Sequence, residues 1–289
     1  MSEKITQLSS AWQGWIIENI ARDCTAGSMI EQMVQNNFDP AFASMAVYQL
    51  KQNPQASMTT KSLPQAEGYV YETPRLPMDK NVIQTHDKMV RVAFRMAKPV
   101  VAVFDNLLSE AECDELVRLS RIKLKRSCVV DPITGQDAVI DARSSFGTFF
   151  TVNENAFITA LDKRIAEVMH WPVENGEGLQ ILNYQIGGEY KPHFDYFPPA
   201  DSGSKVHTAK GGQRVSTLII YLNDVEAGGE TILPEVNLAI VPKKGSACYF
   251  EYCNSQNQID PMTLHGGAPV IAGEKWIATK WMRQERYGL

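Results

Sequence analysis

The sequence predicts an α+β fold in which helices pack on one face of a β-sandwich or barrel. The helical signals lie before residue 170: Ser109 and Glu112 have capping-box spacing, and apolar residues recur at helical steps across 154–169. From Leu179 onward the helical period stops, and short β-rich runs follow one another, separated by Gly-Gly, Pro or Asn breaks. Helices followed by many short strands are typical of a β core with helices on one side.

The first fifty residues predict short helices, because Leu8, Trp12 and Trp15 recur at three- and four-residue steps. The stretch 52–81 has no sustained period and carries scattered prolines, serines, threonines and glutamines, which predicts an extended linker. We therefore expect a domain boundary near residue 90. It separates an N-terminal helical extension and linker, residues 1–90, from a main domain, residues 91–289.

The main domain should begin with a strand at 99–104 and the two helices. The strand-rich part that follows is divided by turn signals into short runs. Its predicted strands cover 179–185, 214–222, 230–233, 238–242, 247–252, 269–271 and 275–283. The sequence shows no internal repeat, so a helical-repeat architecture is not expected.

Composition and charge limit the classes of function. With 289 residues, 44% hydrophobic and 21% charged, the chain can bury a sizeable core. Its net charge of −5 gives no overall attraction to phosphate backbones, so we expect no nucleic-acid partner. No apolar run reaches the roughly eighteen residues of a membrane span, and charged residues interrupt the N-terminal region before an export signal could form. We expect no membrane partner.

The cysteines indicate a reducing environment. The chain has five of them, an odd number without C-x-x-C spacing, which argues against a disulfide framework and against a cysteine-based zinc site. We therefore expect reduced thiols and a cytoplasmic location.

A candidate metal site lies in the strand-rich part. If the segment around His193 is extended, His193 and Asp195 project from the same face, because side chains alternate with period two. His265 lies in another segment flanked by predicted strands and can supply a third ligand. Two histidines and one carboxylate form the facial arrangement of non-haem iron(II) oxygenases, with coordination positions left open. A closed zinc site would need further ligands, and no cysteine lies near the cluster.

A His-x-Asp pair alone is common by chance, and Lys275 makes it more specific. This lysine follows His265 across the turn at 272–273, so its ammonium group can sit beside the metal on an adjoining strand. There it could receive the distal carboxylate of a dicarboxylic co-substrate. Without the histidines, a single lysine in a strand would be a solvated surface residue.

The strand-rich part resembles the catalytic domain of prolyl 4-hydroxylases, especially the short single-chain forms of bacteria and algae. The segments that carry the resemblance are 183–184, 190–197, 212–214, 221–231 and 264–281, with a further likeness at 107–150. It implies a double-stranded β-helix, also called a jelly roll. It also implies a dioxygenase that uses iron(II), O2, 2-oxoglutarate and ascorbate, hydroxylates prolyl residues, and releases succinate and CO2.

The resemblance further assigns roles to single residues. Iron would be held by His193, Asp195 and His265. Lys275 would bind the far carboxylate of 2-oxoglutarate, with hydrogen bonds from Tyr184 and Thr231. The positions similar to those that line the peptide groove of prolyl hydroxylases are Arg143, Ser145, Tyr190, Arg214 and Trp281.

Alternatives remain open at the level of the sequence. The same chemistry could act on a free amino acid or another small molecule instead of a proline-containing peptide or protein. A jelly roll that binds peptide without turnover is a second alternative, against which the intact ligand set and Lys275 argue. Collagen is not the expected substrate, because the sequence shows no helical-repeat peptide-binding domain. We expect a monomer or a homodimer.

Overall fold

The structure is a computed structural model of the chain. It describes residues 4–5, 8–22, 24–38, 42–43, 46–47, 50–51, 69–127, 129–130, 137–138, 144–198 and 203–287. Two compact units are present, Met1–Gly68 and Tyr69–Leu289. The boundary expected near residue 90 therefore falls earlier, because residues 69–89 belong to the second unit and supply its first strand.

The described residues of the first unit include the helices α1 (Ser10–Ala21) and α2 (Ala26–Gln35), and residues 42–43, 46–47 and 50–51 are also helical. Hydroxyl groups cap both N-termini: Ser9 accepts a hydrogen bond from the Trp12 amide, and Thr25 accepts one from the Ser28 amide. The buried side chains that form its core include Ile16, Met29, Met33 and Phe38. The expected N-terminal helices are thus present.

The second unit is built on a nine-stranded antiparallel sheet, called here the major sheet. In spatial order its strands are β1 (Val82–Gln84), β2 (Met89–Ala97), β3 (Val100–Asp105), β14 (Ala247–Glu251), β10 (Arg214–Tyr221), β17 (Lys275–Arg283), β8 (Leu179–Tyr184), β7 (Phe146–Phe150) and β4 (Lys125–Arg126). The sheet leaves edges at β1 and β4. Two short pairs lie outside it, β5 (Val129–Val130) with β6 (Asp137–Ala138) and β11 (Ala227–Gly228) with β16 (Val270–Ala272).

A four-stranded minor sheet lies over part of the major sheet. Its order is β13 (Leu238–Ile240), β12 (Thr231–Leu233), β15 (His265–Gly267) and β9 (Tyr190–His193). One apolar cluster holds side chains of both sheets, with Ile219 and Ile277 from the major sheet and Leu233 from the minor sheet. Two antiparallel sheets that enclose such a layer form the predicted jelly roll.

Helices cover the other face of the major sheet. They are α3 (Glu110–Arg121) and α4 (Ala156–Met169). A separate short helix, α5 (Ser204–Thr208), follows β9 in the chain. Leu116 and Ile165 from the helices pack with Leu218 of β10 in a second apolar cluster. Because both faces of the sheet are buried, β17 is buried along its whole length and shows no polar alternation.

The α+β jelly-roll prediction is therefore confirmed, including the capping box of Ser109 and Glu112 at α3. The helix predicted at 154–169 begins at Ala156, where the Asn155 side chain caps it. The second unit also contains strands that were not predicted, among them β1, β2, β7 and β9. Within the described residues, no helix is long and apolar enough to cross a membrane.

Candidate metal centre and binding cavity

His193, Asp195 and His265 converge on one point between the sheets. Their potential ligand atoms all lie within 4.8 Å of one another. The Nε2 atom of His193 lies 3.6 Å from Oδ1 of Asp195, and that of His265 lies 3.4 Å from Oδ2. The structure thus brings together the three residues that the sequence predicted as ligands.

Strand register places the two histidines opposite each other. In the minor sheet, β9 and β15 run antiparallel, and His193 pairs directly with His265. Gly266 allows this close approach, because a Cβ atom there would lie 2.9 Å from the Tyr190 carbonyl oxygen. Asp195 lies two residues after His193, in the bend that follows β9, and its carboxylate faces both imidazoles.

Backbone carbonyls fix the orientation of both imidazole rings. His193 Nδ1 lies 2.8 Å from the Lys191 carbonyl oxygen, and His265 Nδ1 lies 3.0 Å from that of Thr263. A carbonyl can only accept, so each Nδ1 carries a proton, and Nε2 is the nitrogen whose lone pair a metal would use. Both Nε2 atoms face the Asp195 carboxylate, so a metal bound between them would take the Nε2 lone pairs in place of a proton.

The protonation states suit a metal as well. Burial, with the nearby His265 imidazole, lowers the pKa of His193. Burial alone would raise the pKa of Asp195, but the two imidazoles hold it well below its usual range. Two neutral imidazoles and one ionised carboxylate are the forms that bind a divalent cation. The donor set fits iron(II) and leaves coordination positions open.

A hydroxyl chain holds the Asp195 carboxylate. Thr217, on β10, donates a 2.6 Å hydrogen bond to Oδ2 of Asp195. Its oxygen lies 3.2 Å from the Tyr252 hydroxyl. Burial raises the pKa of Tyr252, so its hydroxyl stays protonated and donates a hydrogen bond to the Thr217 oxygen. The Asp195 carboxylate is therefore oriented by a residue of the major sheet, although Asp195 itself follows β9 of the minor sheet.

His193, Asp195 and His265 line a cavity of about 960 Å³ between the sheets. Lys275 lies in its wall, and its side chain is 3% exposed. The ammonium group has no hydrogen-bond partner among the described residues and lies 5.6 Å from the ring centre of Tyr184, its partner across the sheet. Burial lowers the pKa of Lys275 to about 8, although Glu230 counteracts this effect. A buried ammonium without an ion pair is a site for an anion.

Tyr184 and Thr231, the other two residues expected to contact 2-oxoglutarate, line the same cavity. The Thr231 hydroxyl accepts a 2.8 Å hydrogen bond from Tyr221. Its own proton therefore remains available for an acceptor in the cavity.

Among the residues predicted to contact substrate, Arg214 is already engaged in an ion pair. Its guanidinium group donates to both carboxylate oxygens of Glu177, at 2.6 and 2.8 Å, and to the Asp195 carbonyl at 3.3 Å. It also lies 3.9 Å from the centre of a Trp281 ring. Arg283 contacts Glu177 from the other side, with its Nε 2.7 Å from the carboxylate. Arg214 thus supports the chain beside the metal site while it lines the cavity.

The other predicted substrate residues have different positions. Tyr190 stacks on the His193 ring with 3.5 Å between ring centres, and Trp281 lines the cavity. Ser145 is buried behind the wall and donates to the Ser127 hydroxyl at 2.9 Å. Arg143 lies outside the described residues. Sequence reasoning did not identify Thr217, which lies on β10, or Tyr252 and Glu177, which lie just after β14 and just before β8.

Comparison with known proteins is consistent with this geometry. Residues 179–283 match the 2OG-Fe(II) oxygenase superfamily. The chain is 38% identical over 209 residues to probable prolyl 4-hydroxylase 10 of Arabidopsis thaliana, covering 66% of this chain and 71% of that protein. It is 41% identical over 202 residues to prolyl 4-hydroxylase 1 of the same plant, covering 65% and 70%. Among solved structures, the 2OG complex of the viral collagen prolyl hydroxylase from Paramecium bursaria Chlorella virus-1 is similar, with 30% identity, a TM-score of 0.50, and coverage of 63% of this chain and 95% of that one.

Proposed function

The chain belongs to the prolyl 4-hydroxylase family of 2-oxoglutarate- and iron(II)-dependent oxygenases, and we propose that it hydroxylates C4 of prolyl residues within a peptide or protein. It is a dioxygenase that hydroxylates proline. One observation carries the proposal for this site: the three convergent ligands and the unpaired ammonium of Lys275 face the same cavity.

His193, Asp195 and His265 would hold the iron. When bound, iron(II) supplies the activation of O2 that couples the oxidative decarboxylation of 2-oxoglutarate to succinate and CO2 with hydroxylation of a C–H bond. The protein fixes the two imidazole tautomers through the Lys191 and Thr263 carbonyls, and fixes the carboxylate through Thr217.

Lys275 would bind the distal carboxylate of 2-oxoglutarate. The supporting observation is that its ammonium group is buried without an ion pair, so a carboxylate at this point would gain a charge-assisted hydrogen bond. We propose that Thr231 and Tyr184 add hydrogen bonds to the same carboxylate, because both line this end of the cavity.

The peptide would occupy the outer part of the cavity. Tyr190 and Trp281 line the cavity with aromatic surface, and the indole N–H of Trp281 has no hydrogen-bond partner among the described residues. We propose Arg214, Tyr190 and Trp281 as residues that shape the groove. Arg143 and Ser145 stay predictions from the family resemblance.

Three further proposals concern conditions and assembly. Ascorbate would serve as the reductant that keeps the enzyme active. The cytoplasm is the proposed location, since the four cysteines in the described part of the chain are free thiols. A monomer or a homodimer is the proposed assembly, which sedimentation of the purified chain would distinguish.

A direct test compares a proline-containing peptide with free proline as substrates of the purified full chain, supplied with iron(II), ascorbate and 2-oxoglutarate. We expect hydroxyproline in the peptide and an equal amount of succinate. Coupled turnover with free proline alone would instead establish a small-molecule hydroxylase. Peptide binding without succinate release would establish a non-catalytic binding protein.

A further inference from the structure

The segment that follows β9 carries one of the metal ligands and forms part of the cavity wall. Residues 194–198 leave the strand through a bend, and all five line the cavity, with Asp195 among them. Because β9 ends at His193, strand pairing no longer sets the position of this segment. Other contacts must hold it in place if the Asp195 carboxylate is to face the two imidazoles.

The side-chain amide of Gln213, the residue before β10, bonds to both main-chain groups of Phe197. Its Oε1 accepts a hydrogen bond from the Phe197 amide at 2.8 Å, and its Nε2 donates one to the Phe197 carbonyl at 2.7 Å. A neighbouring antiparallel strand would make the same two bonds through its backbone. Gln213 is 8% exposed, and hydrogen bonds shielded from water in this way are strengthened. A side chain thus takes the place of a strand neighbour for Phe197.

The amide of Gln213 is held in one orientation. Its Oε1 also accepts from the Arg214 amide at 3.0 Å, so two N–H groups face this oxygen and Nε2 is the atom left to face a carbonyl. The main chain of Gln213 is fixed as well. Its amide donates to Oε1 of Gln284 at 2.9 Å, and its carbonyl accepts from the Gln284 amide at 3.0 Å. The clamp on Phe197 is therefore built on a well-anchored residue.

The place of Phe197 affects the wall of the cavity and the main chain of the metal ligand. Its buried ring lies 4.9 Å from each of the guanidinium groups of Arg214 and Arg283, and it stacks on the His207 ring with 5.1 Å between centres. All four of these side chains line the cavity. Arg214 also donates to the Asp195 carbonyl at 3.3 Å. A shift of Phe197 would thus disturb the groove and the segment that carries Asp195.

We propose that Gln213 is a positioning residue, which acts through Phe197 to fix the segment that carries Asp195 and to shape the adjoining wall of the peptide groove. The part that concerns the peptide rests on the proposed function, whereas the part that concerns the metal rests on the geometry of the ligands. Gln213 lies beside Arg283, at one end of the paired strands β10 and β17, and Lys275 begins β17 at the other end. Gln213 should therefore influence metal and peptide binding and leave 2-oxoglutarate binding unchanged.

The test uses the purified full chain and two variants of similar side-chain size. Gln213→Leu removes the amide and leaves both main-chain groups of Phe197 without this partner. Gln213→Glu keeps an acceptor for the two N–H groups but, when ionised, has no proton for the Phe197 carbonyl. Titration of the metal-free chain with Co(II) measures binding without turnover. We expect about tenfold lower affinity in Gln213→Leu, the lower end of the usual effect of a lost outer contact, and an intermediate affinity in Gln213→Glu.

Steady-state kinetics at saturating iron(II) and ascorbate give a second measurement. The KM for a proline-containing peptide should rise about three- to tenfold in Gln213→Leu, as expected for the loss of one net hydrogen bond, and less in Gln213→Glu. The KM for 2-oxoglutarate should stay within about twofold of wild type in both. Gln256→Leu is the matched control, because Gln256 is exposed and lies outside the described cavity lining, and it should change none of these values.

A wild-type Co(II) affinity together with a wild-type peptide KM in Gln213→Leu would overturn this inference. If that variant does not fold, as judged by circular dichroism, the same result in Gln213→Glu would overturn it. Equal increases in the KM for peptide and for 2-oxoglutarate would also overturn it, because they indicate a general loss of structure. Absence of hydroxyproline from every peptide with the wild-type chain would instead overturn the proposed function, and the Co(II) titrations would still decide the role of Gln213 at the metal site.

Discussion

The Thr217 hydroxyl donates a 2.6 Å hydrogen bond to Oδ2 of Asp195 and thereby connects the major sheet to the carboxylate of the metal site. Both residues are buried, and the Thr217 oxygen accepts in turn from Tyr252. Such outer contacts orient a ligand before the metal arrives and stabilise one geometry of the site.

Thr217→Val should weaken metal binding. Valine keeps the shape of threonine but cannot donate, so we expect about 10- to 100-fold lower iron(II) affinity, the usual effect of losing such a contact. Metal titration measures this without turnover. Thr217→Ser keeps the hydroxyl and should retain most of the affinity. A dissociation constant for Thr217→Val equal to that of the wild type would show that the bond does not position Asp195.

Removing a metal ligand should reduce iron binding and turnover more than removing the Thr217 hydrogen bond to Asp195. His193→Ala removes an imidazole that would ligate iron through Nε2 and whose Nδ1 is held by the Lys191 carbonyl. We expect neither stable iron binding nor succinate release in this variant. His170→Asn is the matched control, because His170 is an exposed C-cap in the left-handed region, which asparagine tolerates. Unchanged turnover in His193→Ala would contradict the assignment of the metal site.

Sequence reasoning reached the parts of the site that depend on local spacing. The separation of His193 from Asp195 predicts a shared face once the segment is extended, and this requires no knowledge of the fold. The Thr217–Asp195 bond depends on how two sheets face each other, and no periodicity in the chain encodes that relationship. For the same reason the sequence did not show that Glu177 occupies the Nε–Nη2 edge of Arg214, a residue expected to line the peptide groove.

The domain boundary was displaced for a related reason. The stretch 52–81 was predicted to be a linker, but its described part, residues 69–81, belongs to the second unit and is hydrogen-bonded within it. The amides of Arg75 and Leu76 both donate to the Glu251 carboxylate, and the Leu76 side chain is buried. A proline-rich segment docked by backbone hydrogen bonds carries no apolar period, so its sequence does not distinguish it from a free linker.

The use of 2-oxoglutarate should depend on pH through Lys275. Burial lowers the pKa of this ammonium to about 8, so it is charged below that pH and neutral above it. A bound carboxylate favours the charged form, so we expect the KM for 2-oxoglutarate to be constant below about pH 8 and to rise above it, approaching tenfold per pH unit. Steady-state kinetics across this range would measure the effect.

Two variants test whether the positive charge of Lys275 controls the KM for 2-oxoglutarate. Lys275→Arg stays charged throughout, so its KM for 2-oxoglutarate should vary little with pH. Lys275→Ala should raise that KM at every pH. An unchanged KM in Lys275→Ala would remove this lysine from co-substrate binding.

Stability should depend on a buried arginine away from the cavity. Arg164, on α4, donates to both oxygens of Asp87 and of Glu112 and also to the Leu107 carbonyl, so it joins three segments. The Arg164 hydrogen bonds lower the pKa of Asp87 to about 2. Burial would raise the pKa of Glu112, but its hydrogen bonds with Arg164 and Ser109 lower this pKa to about 2.

Arg164→Met should lower the free energy of unfolding by about 2 to 3 kcal/mol at neutral pH, less than the roughly 3 to 5 kcal/mol of a fully buried pair because both carboxylates are partly exposed. Both pKa values lie below their unfolded values near 4, so the stabilisation is present above about pH 4 and is lost as the pH falls toward 2. The difference between variant and wild type should therefore narrow with acidification in urea denaturation. Lys163→Met, at the neighbouring exposed position, should stay within about 0.5 kcal/mol of wild type. A constant difference between pH 7 and 3 would show that packing, not the ion pairs, makes Arg164 stabilising.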